Sequence, residues 1–310
     1  MRLTTPLKQI VWGVDILAGE TRIDSAFFQM QIHNLVLGAS VLVDWVYILN
    51  PKSFNTPLKD FPEWIDFYKT VISEDLQQFS RGMNWNFTSK TKVLATGTES
   101  IKVAARLLLD YSVQTGSELI VVMPRKKNFP ILRSYGFSDY LIQNSKIPIF
   151  LLRRQALDTR PIQTILYPTI LGSEITTDAM DVIDFAGFLG ATLILFHNPP
   201  WPSLLAFPHS NPSPTEYADS PQIQDTLQHW EKLAASRGTP LKVEINTTPG
   251  VWLNQILQKA KETQADLIVI SLSPLTSFKS NIQWPYLKIL RQSPCSILIL
   301  PKISCTKSDQ

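Results

Sequence analysis

The sequence predicts an α/β protein with two tandem, doubly wound domains, each a five-stranded parallel sheet with helices on both faces. The main observation is a repeat. Two apolar runs of the first half, 118–123 and 147–152, return as 266–271 and 295–300, both at an offset of 148 residues without gaps. Apolar runs of this length, bounded by polar residues, are typical of strands that a parallel sheet buries on both faces. Amphipathic segments alternate with these runs, and this alternation indicates parallel sheets with right-handed crossovers.

Length and charge agree with two ordinary domains. The 310 residues allow two domains of roughly 150 residues each. Residues 1–155 hold 18 Lys and Arg against 13 Asp and Glu, and residues 156–310 hold 11 against 13, so the net charges are +5 and −2. The one basic run, 125–127, is typical of a solvated loop. Nucleic acid is not an expected partner, because it usually requires a denser basic face.

Cysteine usage and hydropathy predict a cytoplasmic location. The two cysteines, Cys295 and Cys305, are too few for a disulfide framework, which favours a reducing compartment. Residues 1–9 contain no apolar segment of signal-peptide length. The longest apolar stretch, 35–49, is interrupted by glycine, serine and aspartate and is shorter than the ~20 residues that span a bilayer. We therefore expect no membrane association.

The first half contains five predicted strands with helices between them. The strands are Ile10–Val14, Val41–Ile48, Lys92–Ala95, Glu118–Met123 and Ile147–Leu152, and the helices are 25–37, 60–79, 99–114 and 138–143. Thr98 is the predicted N-cap of the third helix, since a threonine hydroxyl accepts a bond from the free N–H groups there. Asp44 interrupts the second strand, and a buried carboxylate needs a partner. We interpret it as lying at an edge or strand end with a satisfied hydrogen bond, the alternative being a functional acid.

An aromatic stripe runs along the second helix. Apolar residues follow at spacings of three and four, at Phe61, Trp64, Ile65, Tyr68, Ile72, Leu76 and Phe79. This spacing predicts a helix face packed on a sheet. A cofactor platform is the alternative.

The second half repeats the order after a linker at 154–161, which gives domains 1–155 and 156–310. The predicted strands are Thr164–Tyr167, Thr192–His197, Leu241–Ile245, Asp266–Ser271 and Ser296–Leu300, and the helices are 177–189, 222–237, 251–263 and 284–292. Between them, 199–221 contains seven prolines. Prolines remove backbone donors and helix propensity, so this segment is predicted to be a mobile surface loop.

These features, in this order, resemble the universal stress protein family in its tandem two-domain form. A Gly-Ala pair precedes the second strand of each half, and the second copy, 190–197, ends on the histidine that the family often has. The segment Leu171-Gly-Ser-Glu174 resembles the family's helix start, each Asp/Glu-Leu-Ile-Val strand follows a helix, and each final strand begins near Pro148 or Cys295. The resemblance covers about Gln9 to Pro301. It implies a Rossmann-like fold of the adenine nucleotide alpha hydrolase type.

The resemblance also implies where chemistry would lie. Nucleotide-binding members of the family hold ATP at the carboxyl edge of the sheet, as the crevice rule for open α/β sheets describes. They have an acid after the first strand, a loop G-x2-G-x9-G-[S/T] after the fourth strand, and a helix N-terminus that faces the anion. The glycines let backbone N–H groups approach the phosphates.

Domain 1 keeps only part of this motif. Asp15 stands after the first strand, but Met123 and Lys126 occupy the first two glycine positions. Gly136 remains, and Ser138 follows it one residue later than in the motif. If domain 1 binds a nucleotide, the resemblance implies that Asp15, Lys126, Gly136 and Ser138 bind it. The alternative is a solvated basic loop.

Domain 2 departs further, and we expect no ATP there. Ile170 stands at the acid position, and the loop 271–284 contains no glycine. In neither domain does a histidine have a partner at metal-ligand spacing, and no Ser-His-Asp or Cys-His arrangement is recognisable. We therefore predict neither catalytic residues nor a metal site.

Two functional hypotheses follow. The first is a non-enzymatic universal stress protein that acts in stress response by binding protein partners or a small ligand, without nucleotide turnover and without a cofactor. The alternative is a protein that binds ATP, or hydrolyses it weakly, through domain 1 alone. The missing glycines favour the first.

The family commonly dimerises through the final strand of each sheet, which implies that the two halves of a tandem chain do the same. Ile149–Arg153 and Ile297–Pro301 are predicted to run antiparallel beside each other, about a pseudo-two-fold axis. Unpaired apolar edges favour aggregation. A linker of about nine residues reaches at most ~30 Å, so the domains must lie side by side. A homodimer of the whole chain, in addition to this internal pairing, is a further hypothesis.

Overall fold

The computed structural model describes most of both halves of the chain. The described residues are 7–14, 41–50, 63–82, 88–123, 136–153, 161–169, 177–197, 219–246, 252–272, 289–290 and 292–301. They form an α/β fold, as predicted. The chain divides into two compact units at Pro161–Ile162. The predicted boundary at 155 falls outside the described residues and stays a prediction.

The described elements of the first unit are five strands and three helices. The strands are β1 (Gln9–Val14), β2 (Leu42–Leu49), β3 (Thr88–Ala95), β4 (Leu119–Val122) and β5 (Ile149–Leu151). The helices are α1 (Glu63–Gly82), α2 (Ile101–Gln114) and α3 (Phe137–Asn144). All strand pairs are parallel, in the order β3-β2-β1-β4-β5. The order reverses between β1 and β4, so right-handed crossovers put α1 on one face and α2 and α3 on the other.

The second unit has the same plan. Its described strands are β6 (Thr164–Thr169), β7 (Thr192–His197), β8 (Leu241–Ile245), β9 (Leu267–Ser271) and β10 (Ser296–Leu300), and its helices are α4 (Thr177–Leu189), α5 (Pro221–Ser236) and α6 (Trp252–Glu262). The strands pair in parallel in the order β8-β7-β6-β9-β10. The switch point lies between β6 and β9, as it lies between β1 and β4 in the first unit.

The acid that opens each repeated strand motif has a structural role. Glu118 Oε2 accepts a hydrogen bond from the backbone N–H of Lys8 at 2.6 Å. Asp266 Oδ2 accepts two, from the N–H groups of Gln163 and Thr164, both at 2.9 Å. These donors precede or open the neighbouring strand, so each acid satisfies backbone groups beside the central strand of its sheet.

Aromatic side chains fill the core beside the central strand of each sheet. In the first unit Trp12 and Trp45 are register partners on β1 and β2, and their rings stack with centroids 4.6 Å apart. In the second unit Tyr167 on β6 lies 6.2 Å from Trp230 on α5, centroid to centroid. All four side chains are buried.

Several predicted boundaries differ from the structure by one to four residues, and two of the differences have a clear physical reason. Strand β3 begins at Thr88, four residues before the predicted start, because the exposed polar residues of an edge strand carry no apolar pattern. Helix α2 is capped by Ser100 rather than Thr98, since the Ser100 hydroxyl accepts a hydrogen bond from the Val103 N–H at 3.4 Å. The predicted helix 25–37 and most of 199–221 and 284–292 lie outside the described residues.

The interpretation of Asp44 is half right. Its carboxylate has a partner, since Tyr111 Oη donates to Asp44 Oδ2 at 3.0 Å. However, Asp44 lies neither at an edge nor at a strand end. It is the third residue of β2, flanked by β1 and β3, and is buried.

The aromatic stripe of α1 is only partly core. Ile72 and Leu76 are buried, as predicted, but Trp64 is exposed. Phe61 and the side chain of Phe79 lie outside the described residues. The spacing of α1 therefore indicated a helix correctly, but not which of its apolar residues face the sheet.

Candidate functional site

The carboxyl edge of the first sheet is where the fold places a ligand crevice. Strands β1 and β4 end there, at Val14 and Val122, and the strand order reverses between them. Asp15, Lys126 and the loop 124–135 lie outside the described residues. Of the four candidate residues, the structure thus places Gly136 and Ser138, and it brings both to the N-terminus of α3.

One backbone donor at the N-terminus of α3 is bonded to a carboxylate of the chain. The N–H of Gly136 donates to Asp139 Oδ2 at 2.9 Å. A phosphate bound at this terminus needs such backbone donors, and it would be repelled by the Asp139 charge.

The surviving loop glycine does not have the conformation that phosphate loops require of glycine. Gly136 is the N-cap residue of α3 with φ −77°, a value that any residue adopts. A Cβ at this position would lie 3.5 Å from Asp139 Oδ2, which is ordinary van der Waals contact. Neither a positive φ nor close backbone approach explains Gly136, so its retention does not by itself indicate a nucleotide loop.

A buried carboxylate lies at the matching edge of the second unit. Ser271 ends β9 and is the first residue of the loop that would hold phosphate, and its hydroxyl donates to Asp178 Oδ2 on the first turn of α4. Both side chains are buried. The chain itself thus fills this edge with a serine and an acid.

Sequence reasoning missed Asp178 as a site residue. An acid in the first turn of a helix is ordinarily explained by the helix dipole, and Asp178 lies 93 residues from its serine partner. Only the fold brings the two residues together.

His197 is the last residue of β7 and is fully buried. Its Nδ1–H donates to the Thr169 carbonyl of β6 at 3.3 Å. Burial lowers the pKa of His197 to about 4, with the Thr169 hydrogen bond opposing the shift. At neutral pH this histidine is therefore uncharged and links two strands.

Tyr47 holds the same register position in the first unit. It pairs with Val14 as His197 pairs with Thr169. Burial raises the pKa of Tyr47 to about 12. Each unit thus has a buried polar ring at this edge that does not change charge near neutral pH.

Within the described ranges, no group of three or more His, Cys, Asp and Glu side chains could hold a metal ion. Across the same ranges, no helix is long and apolar enough to cross a bilayer.

Solved structures share this fold along almost the whole chain. A universal stress protein from Archaeoglobus fulgidus DSM 4304 superposes with a TM-score of 0.67 at 12% identity, covering 96% of this chain and 97% of that one. A putative universal stress protein from Pseudomonas aeruginosa UCBPP-PA14 gives 0.58 at 14% identity, covering 96% and 94%. A functionally unknown protein from Pseudomonas aeruginosa PAO1 gives 0.54 at 14% identity, covering 96% and 93%.

At the level of sequence, no family model and no curated protein matches the chain. The likeness therefore concerns the fold, and it agrees with the resemblance that the repeated motifs indicated. This chain has the fold of the tandem universal stress proteins, with two five-stranded α/β units in one polypeptide.

Proposed function

We propose that this chain is a cytoplasmic universal stress protein that acts in stress response by binding a protein partner or a small ligand, without nucleotide turnover. One observation carries the proposal. In each unit, a carboxylate of the chain itself bonds to the residue where a phosphate would be held, Asp139 to Gly136 and Asp178 to Ser271.

The electrostatics of both edges support this function. A nucleotide brings several negative charges, and a bound phosphate needs free N–H donors or cations around it. At Gly136 the N–H donor already bonds to Asp139. At Ser271 the hydroxyl donates to a buried acid. Each arrangement disfavours a phosphate.

The two buried ring side chains that the structure describes at the carboxyl edges support a non-enzymatic role, because neither has a pKa near neutral pH. General acid–base catalysis works best with a pKa close to the working pH. Burial moves the two ring side chains at the carboxyl edges, His197 and Tyr47, to pKa values of about 4 and about 12. Neither gains or loses a proton readily at pH 7.

The test is nucleotide carried through purification. The full chain is purified without added nucleotide, denatured, and its extract analysed by mass spectrometry, with phosphate release from ATP measured on the same sample. We expect no adenine nucleotide at a stoichiometric level and no phosphate release above buffer. Nucleotide approaching one molecule per chain, lost in Asp15→Ala, would instead establish the ATP-binding alternative in domain 1.

A further inference from the structure

The outer face of α1 carries an apolar stripe. Phe67 is 64% exposed, Trp64 47% and Val71 37%. On a helix, residues three and seven positions apart lie within an arc of about 60°. The three side chains therefore form one continuous surface, here called the α1 stripe. Tyr68 borders it, with its ring centroid 5.8 Å from that of Phe67 and 6.4 Å from that of Trp64.

The fold does not require this exposure. Helix α5 has the same place in the second unit, because it connects β7 to β8 as α1 connects β2 to β3. Yet α5 exposes none of its large apolar side chains, since Ile223 and Trp230 are buried and Leu227 and Leu233 are half-buried. Its exposed positions hold Gln222, Gln224, Asp225, Gln228, His229, Glu231, Lys232 and other polar or small residues. The aromatic surface is thus a property of α1 and not of its position in the fold.

The opposite face of α1 attaches the helix to its sheet. Ile72 and Leu76 are buried, and the hydroxyls of Ser80 and Ser89 on β3 lie 2.7 Å apart. The α1 stripe therefore adds little to the core of the unit. Apolar anchors at positions i, i+3 and i+7 are the pattern by which one helix is recognised by another apolar surface. Clustered exposed apolar side chains commonly mark interaction sites.

The charges around the stripe specify the partner. Glu74 and Asp75 are exposed three and four residues after Val71, whereas the Asp66 charge is paired with Lys69 at 2.8 Å, Oδ1 to Nζ. Helix α1 has four acidic residues against two basic ones, a net charge of −2. Complementary potential across an interface favours a partner with positive charges beside its apolar surface. Although residues 1–155 have a net charge of +5, the acids beside the stripe would face each other in a pair of copies docked through α1, and they would repel anionic lipid at this surface.

We propose that the α1 stripe is a docking site for another protein, which presents an amphipathic helix with lysine or arginine beside its apolar face. The inference rests on the proposed partner-binding function and places it on the outer face of α1 rather than in the crevice between β1 and β4. Its test is a peptide titration, which measures binding at α1, whereas the nucleotide carried through purification reports binding in the crevice. The two proposals can therefore fail separately.

The probe is a synthetic amphipathic helix of leucine and lysine, about five turns long to match α1, and its control replaces every lysine with glutamate. Fluorescence anisotropy of each labelled peptide is measured against the full chain. We expect saturable binding of the lysine peptide only. The double variant Trp64→Ser, Phe67→Ser should weaken it by roughly tenfold or more, as loss of central apolar anchors does. Val113→Ser is the matched control, because Val113 is equally exposed, at 64%, but lies on α2.

Charge reversal provides the second arm. Glu74→Lys with Asp75→Lys should weaken the lysine peptide and admit the glutamate peptide, without changing the apolar anchors. Several results would overturn the proposal: no binding of the lysine peptide, equal binding of both peptides, or an affinity untouched by the double serine variant. A dimer in sedimentation that the double serine variant dissolves would assign the surface to a second copy. Binding to phosphatidylcholine vesicles that the same variant abolishes would assign it to lipid.

Discussion

Tyr111 and Lys259 occupy the same repeat position, 148 residues apart, but they bond to different acids. In the first unit the Tyr111 hydroxyl donates to Asp44, a buried residue of β2. In the second unit Lys259 Nζ lies 2.7 Å from Oε2 of Glu244, on the edge strand β8, and 3.0 Å from Oε2 of Glu262. Ile194 takes the register position of Asp44 in the second unit.

The difference shows that the repeat conserves geometry rather than chemistry. The buried acid receives a hydroxyl, and burial together with the Asp44 hydrogen bond raises the pKa of Tyr111 to about 12. The partly exposed acid receives an ammonium group, and the hydrogen bond to Glu244 holds the pKa of Lys259 above its usual value. Exposure to solvent determines whether a hydroxyl or an ammonium group is the more stable partner of the acid, because a buried ion pair loses more hydration than a partly exposed one.

The largest expected effect distinguishes His197 from Tyr47, which holds the same register position in the first unit. The unfolded chain protonates its histidine below about pH 6.5, whereas the folded chain keeps His197 neutral down to about pH 4. Unfolding is therefore favoured as the pH falls through this window, by about 3 kcal/mol from this residue. Urea unfolding of wild type and His197→Gln at pH 7 and pH 4 should show a flatter pH dependence in the variant. Tyr47→Phe is the control, and an equal slope in wild type and His197→Gln would contradict the account.

A second test compares the two acid partners directly. Tyr111→Phe leaves Asp44 without its hydroxyl donor and should lower the free energy of unfolding by about 2 kcal/mol. Adding Asp44→Ile, the residue of the second unit, should recover most of that loss, since apolar groups can replace buried polar pairs. Lys259→Met should cost less than about 1 kcal/mol, because solvent screens that ion pair. Equal losses in the Tyr111 and Lys259 variants would show that burial does not distinguish the two units.

A third test uses the acids that open the repeated strands. Asp266 accepts two backbone hydrogen bonds and Glu118 one among the described residues. We expect Asp266→Ala to destabilise the fold by about 1.5 kcal/mol and Glu118→Ala by about half as much. Thermal unfolding of both variants measures this ratio. A larger loss for Glu118→Ala would argue that the count of bonds is not what matters.

The smallest effect concerns the ends of α2 and α6. Gly116 and Gln264 hold the same repeat position, both at positive φ, 66° and 50°. Glycine adopts this conformation without strain, whereas glutamine does not. Gln264→Gly should therefore stabilise the chain by about 1 kcal/mol, and Gly116→Ala should destabilise it by a similar amount. Unchanged melting temperatures in both variants would contradict this reading of the two turns.

The sequence predicted the fold where apolar patterning is strong. The bounds of β7, β8 and α4 agree with the predicted ones, because their apolar residues recur at the expected spacing. The first half of β3 was missed, since an exposed edge strand carries no such pattern. The pairing of the final strands of the two units stays a prediction.

The site was harder to predict, because its contacts join residues that the fold brings together. The bond between Asp178 and Ser271 spans 93 residues. The Asp139 bond to Gly136 did have a local signal, an acid three residues after a helix N-cap. The glycine motif points to Gly136 itself and not to the acid that follows it, so this bond was not predicted.

We propose above that the chain's own carboxylates disfavour nucleotide at both carboxyl edges. Calorimetric titration of the full chain with magnesium ATP tests it most directly, with Asp139→Asn and Asp178→Asn alongside. We expect no binding in the micromolar range for wild type, and a rise in affinity when either carboxylate is neutralised. A tight site in wild type, abolished by Asp15→Ala and unchanged by Asp139→Asn, would contradict it.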